Sequence, residues 1–161
     1  MIKKEFDFIA KEQFKFLQLE YGFKLLNCEK EDWGYELIYQ NITTGVKITY
    51  EFSEAYIFIM LYQLVDGNIK ENPRNIENDT KLLGFGLDDL INLRSPQDLI
   101  KPAYEYGEAS IYYNKHDGLL LYVSAFADNL KKYAKDILSG DFAVFPQLDQ
   151  IVKERVEKYK Q

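Results

Sequence analysis

The chain's single histidine, His116, lies in the turn-like stretch "NKHDG", and its single cysteine is Cys28. Nucleophilic catalysis needs a nucleophile and a base that meet in space. Asp117 beside His116 would orient such a base, yet a lone loop histidine is more often a solvated side chain. Cys28 falls in "FKLLNCE", a strand-like stretch where cysteine ordinarily serves as a small buried apolar residue. A Cys28–His116 thiol–imidazole couple therefore has only composition in its favour. One cysteine leaves no internal disulfide and no cysteine-based zinc site. The expectation is no metal and no cofactor.

Carboxylates remain. Acids number 26 against 20 bases, so some pair will be close in any fold, and a glycosidase-type pair is an unspecific signal. "LDDL" sets Asp88 and Asp89 in an apolar context, but adjacent helical residues point about 100° apart and form no chelate. Their expected role is favourable charge in the first turn of a helix. "GFG", Gly84 to Gly86, lacks the Lys-Ser/Thr ending of a phosphate loop and reads as a flexible lead into that helix. A hydrolase using carboxylates or His116 ranks third among the functional readings.

A different pattern draws more attention. The chain holds 13 tyrosines and 11 phenylalanines against one tryptophan, more phenols than a core needs, since each buried hydroxyl requires a partner. "AYEYGEASIYYNKHDG" interleaves Tyr104, Tyr106, Tyr112 and Tyr113 with Glu105 and Glu108. Tyrosine offers rigid contact area with a polar tip, and neighbouring carboxylates pair with Lys or Arg on a partner. The competing reading packs these tyrosines between a sheet and a long helix, with their hydroxyls at the rim. The candidate partner-binding set is Tyr104, Glu105, Tyr106, Glu108, Tyr112 and Tyr113, with Asp88 and Asp89 as neighbours.

Net charge is −6, with a pI near 4.9. Free nucleic acid and anionic membranes, which select Lys and Arg, are poor partners for such a chain. A basic protein suits the sign. The opening "MIKKEFDFIAKEQ" is interrupted by acids at once and does not read as a signal peptide. No apolar run approaches the roughly 18 residues of a membrane span. A cytoplasmic protein is expected.

The elements that must position these residues follow from periodicity. Phe6, Ala10, Phe14, Leu17 and Tyr21 fall within about 80° of helical arc, predicting a helix over 5–21 that stops at Gly22. Phe8 and Leu19 interrupt its polar side and suggest a second contact surface. "FKLLNCE", "YELIYQ" and "VKITYEF" read as strands. "AYIFIMLYQLV" reads as a central strand covered on both faces. Residues 66–84 read as an exposed polar loop. "FGLDDLINLRSPQDLIKPAY" suggests two short helices, the second begun by a Ser95 cap and Pro96. Val123, Phe126, Ala127, Leu130, Tyr133, Ala134 and Ile137 share one face of a long helix. A last helix turns Leu148, Ile151, Val152 and Tyr159 inward. The fold class is α+β in a single domain over 1–161: an N-terminal helix, an antiparallel sheet of about four strands, and a helical C-terminal half packed on it.

Two segments carry a resemblance. Phe14, Phe16, Leu17, Glu20, Tyr21, Gly22 and Phe23 spell F-x-F-L-x-x-E-Y-G-F. Leu130, Tyr133, Ala134, Ile137, Leu138, Gly140, Asp141 and Phe142 spell L-x-x-Y-A-x-x-I-L-x-G-D-F. The chain thus resembles a loose group of small, mostly uncharacterised bacterial proteins, some similar to immunity proteins encoded beside contact-dependent or secreted toxins. The match covers only the two ends, and its positions read as structural. The resemblance therefore supports a fold more than an activity. Taken with the acidic, tyrosine-rich surface, the leading expectation is a non-enzymatic cytoplasmic protein-binding protein of immunity type, which would occupy a toxin or other basic partner. The alternative reading is a structural or assembly subunit, a homodimer joined through helical faces.

Overall fold

Phe6, Ala10, Phe14 and Leu17 are fully buried, as their spacing requires, but they span two helices and the turn between them, where Phe14 lies, instead of one helix. The computed structural model, which describes residues 2–113 and 117–160, places α1 at Ile2–Gln13 and α2 at Phe16–Tyr21. The turn between them brings Phe16 into the core as well. Gly22 ends α2 with φ of 69°, a conformation that favours glycine.

Five antiparallel strands follow in meander order: β1 (Lys24–Lys30), β2 (Gly34–Gln40), β3 (Thr44–Glu51), β4 (Tyr56–Gln63) and β5 (Gly84–Gly86). The fifth strand is "GFG", a correction to the flexible lead expected there. It pairs with Met60 to Tyr62 of β4. Glycine permits this approach: a Cβ on Gly84 would stand 2.4 Å from the Tyr62 ring. One sheet face buries Leu37, Tyr39, Val46, Ile48, Ile59 and Leu61. The expectation that β4 is covered on both faces fails at Phe58, which is 43% exposed. β5 is too short to reach it.

The segment 66–83 is largely exposed but is tied across the second face. Glu71 accepts hydrogen bonds from Lys47 of β3 and Tyr62 of β4, and Asn72 donates to the Gly84 carbonyl at 2.8 Å.

The helical half comprises α3 (Leu87–Arg94), α4 (Gly118–Tyr133), α5 (Lys135–Leu138) and α6 (Phe145–Lys160). Short 3-10 turns at Pro96–Asp98, Ala103–Tyr106 and Ile111–Tyr113 connect α3 to α4. The second of the two helices expected after Gly84 is only the first of these turns. Ser95 does not cap it; its hydroxyl donates to the Asp98 carboxylate at 2.8 Å. The long C-terminal stripe is again one face shared by two helices, since the backbone leaves helical geometry at Ala134. Leu148 is buried as expected, whereas Tyr159 is 83% exposed, because the last turns of α6 run past the core.

The β2–β3 turn joins distant parts of the chain. Asn41 Nδ2 donates to the Tyr21 carbonyl at 3.0 Å and to the Leu138 carbonyl at 3.3 Å. Thr44 Oγ1 donates to the Ile137 carbonyl at 2.8 Å. The backbone at Tyr21 and at Ile137–Leu138 is therefore brought together at one turn. The architecture is α+β. Among the described residues, no helix is long and apolar enough to cross a membrane.

Candidate functional site

Tyrosines 104–113 divide between core and surface. Tyr112 is half-buried, with its ring edge-on to Tyr106 on one side and to Tyr122 on the other, both centroids 5.1 Å away. Tyr122 meets Phe126 at 5.2 Å in the same manner, so a chain of rings runs from the surface into the core. Edge-to-face contact suits the aromatic quadrupole and orients each ring. The Tyr106 hydroxyl accepts the Lys101 amide at 3.0 Å, and the Tyr122 hydroxyl donates to the Lys101 carbonyl at 2.7 Å. The backbone of Lys101 is thereby held at both its N–H and its carbonyl. Gly118, at the start of α4, lets the turn pack closely, since a Cβ there would lie 2.3 Å from the Tyr112 carbonyl oxygen.

The outer residues are open. Tyr104 is 54% exposed and Ile111 62%, while Tyr106 and Tyr113 are also exposed. Glu105 and Glu108 are exposed and form no ion pair among the described residues. Of these tyrosines, Tyr112 packs, Tyr104 and Tyr113 face outward, and Tyr106 is partly exposed while its ring packs on Tyr112.

Asp88 and Asp89 stand in the first turn of α3, as expected. Tyr56, at the start of β4, joins Asp88 to the tyrosine surface. Its hydroxyl donates to the Asp88 carboxylate, and burial, that hydrogen bond, then the charges of Asp88, Glu105 and Tyr106 push its pKa strongly upward. Burial also raises the Asp88 carboxyl above the ordinary aspartate value, outweighing the Tyr56 hydrogen bond, with the Asp89 charge adding to the rise. Asp89 receives both arms of the Arg155 guanidinium from α6, at 2.7 and 3.0 Å. Asp88 has no cation among the described residues.

Between β4, β5, α3 and α6 lies a cleft of ≈ 330 Å³ walled by Phe58, Met60, Gly86, Asp88, Asp89 and Arg155. Phe58 is held edge-on by Tyr56, with ring centroids 4.4 Å apart and planes at 76°. Tyr56, Phe58 and Arg155 escaped the sequence reading. A usable signal existed in the alternation of Tyr56, Phe58 and Met60 along β4, which marks a second sheet face with large side chains. Arg155 had no such signal, because its partner is 66 residues away.

Cys28 is half-buried on β1. His116 lies outside the described residues, so no geometry bears on the thiol–imidazole couple or on a His116 base. Among the described residues, no group of His, Cys, Asp and Glu is arranged to hold a metal ion. No protein-family model, curated protein or solved structure matches the chain.

Proposed function

We propose that the protein is a non-enzymatic, cytoplasmic protein-binding protein of immunity type, which occupies a basic partner through residues 104–113. One observation carries this reading. Glu105 and Glu108, without ion pairs among the described residues, stand close in sequence to exposed Tyr104, Tyr106 and Tyr113, Glu105 within a 3-10 turn and Glu108 between two of them. Carboxylates of this kind steer a basic partner during encounter. Rigid aromatic side chains then supply contact area at little loss of conformational freedom. The resemblance at the two ends supports the scaffold and leaves the partner-specific surface to the middle of the chain.

The test begins with capture of the neighbouring gene product from a lysate. Association kinetics follow with the Glu105→Lys, Glu108→Lys double variant. The variant should associate about tenfold more slowly at low salt, with a smaller change at high salt. An unaltered association rate removes the surface from consideration.

A second reading rests on a different place. Phe8 of α1 is 70% exposed and Leu19 of α2 is 75% exposed, which favours an assembly subunit joined through helical faces. Light scattering on the purified chain distinguishes the two. A dimer that Phe8→Glu and Leu19→Glu dissociate supports assembly, and a monomer at all concentrations removes it.

A further inference from the structure

The cleft beside Asp88 combines features that neither helix packing nor sheet pairing uses. Asp89 and Arg155 neutralise each other across its rim through a two-pronged ion pair, which leaves Asp88 as the one uncompensated charge on its wall. Phe58 presents an exposed aromatic ring on the same wall. A single residue, Tyr56, sets both. Its hydroxyl holds the Asp88 carboxylate, and its ring holds Phe58 edge-on. Carboxylate and aromatic ring are therefore fixed relative to each other before anything binds, which is the arrangement that favours a cation.

We propose that this cleft receives one arginine side chain from a protein partner, its guanidinium hydrogen-bonded to Asp88 and stacked on Phe58. Charge complementarity selects a cation. The flat aromatic wall selects guanidinium over ammonium, because a planar, weakly hydrated group stacks and hydrogen-bonds at once. A volume of ≈ 330 Å³ lies at the small end of ligand sites and suits one long side chain better than a folded segment. Met60 supplies an adaptable thioether wall for the aliphatic stem. This inference rests on the protein-binding reading above and specifies what the partner inserts beside the tyrosine surface.

The experiment uses the full chain and a blocked arginine, N-acetyl-arginine methylamide, followed by amide NMR. Its neutral citrulline analogue serves as control. Arginine should shift the amides of Gly84, Gly86, Asp88 and Asp89 in a saturable manner, and citrulline should not. Asp88→Asn, which keeps an acceptor for Tyr56, should weaken the titration about tenfold or more. Phe58→Leu should weaken it about threefold and gives an independent check should Asp88→Asn disturb the fold. Equal shifts with citrulline, or arginine binding unaltered in both variants, overturn the proposal. The Glu105→Lys, Glu108→Lys variant separates the two readings. Slowed partner association in that variant, together with no arginine titration at the cleft, keeps the surface and removes the cleft.

Discussion

β4 carries a tyrosine at each end, and each donates its hydroxyl to a carboxylate from outside the strand: Tyr62 to Glu71 at 2.9 Å, and Tyr56 to Asp88. The two pairs differ in one component. Glu71 also receives the Lys47 ammonium from β3, whereas Asp88 has no cation among the described residues. The consequence is a reversal of sign. Burial works to raise both carboxyls, but at Glu71 the hydrogen bonds from Lys47 and Tyr62 win and hold it below the ordinary glutamate value. At Asp88 burial wins. A carboxylate completed within the molecule serves the fold, here by tying residues 66–83 to the sheet. One left incomplete beside an open cleft is a candidate for completion by something else.

The largest expected effect tests whether the two phenols are equivalent. Tyr56→Phe deprives the half-buried Asp88 of its donor and should cost about 1–3 kcal/mol in urea denaturation. Tyr62→Phe should cost less, because Lys47 still serves Glu71. Equal losses would erase the distinction. Next comes Lys47→Met, which should cost at most about 1 kcal/mol, a partly exposed ion pair being screened by solvent. Its sharper readout is acid stability. The folded-state pKa of Glu71 is depressed, so its contribution is fully present above the usual glutamate range and fades as pH falls through the folded value. Lys47→Met should flatten that acid decline.

The smallest effect has the opposite sign. The folded-state pKa of Asp88 is raised, so its ionised form opposes folding at neutral pH and that penalty vanishes below the usual aspartate range. Asp88→Asn should therefore melt slightly higher than the parent at pH 7 and match it near pH 3, about one unit below the usual aspartate pKa. A lower melting temperature at neutral pH would show that the carboxylate is compensated after all. A variant that gains stability while losing arginine binding would carry the usual mark of a functional position.

The helices and hairpins were legible because their apolar residues repeat at 3.6 or 2 positions and stop at glycine. The same periodicity hid the two helix breaks. Phe14 and Leu17, like Leu130 and Ala134, continue one stripe across a change of element, and a stripe does not report a turn that leaves its face intact. β5 was invisible for the contrary reason, since Gly84 and Gly86 have no side chains to alternate. At the candidate surface, Tyr104 to Tyr113 and their glutamates announced themselves by local density. The Asp88 cleft did not, because Tyr56 lies 32 residues from Asp88 and Arg155 lies 66 from Asp89. Local pattern finds what neighbours make together, and it misses what the fold gathers.

The turn built by Asn41 and Thr44 has a bearing on the order in which the molecule takes shape. Its donors close on carbonyls at Tyr21, Ile137 and Leu138, so the meander is complete well before two of those acceptors have been synthesised. On a growing nascent polypeptide, the first four strands can pair while this joint stays open to water. Closing it brings together segments almost a hundred positions apart, the kind of long-range contact that slows the final approach to the native state. The bonds to Ile137 and Leu138 are in effect a latch that only the late-emerging helix can engage.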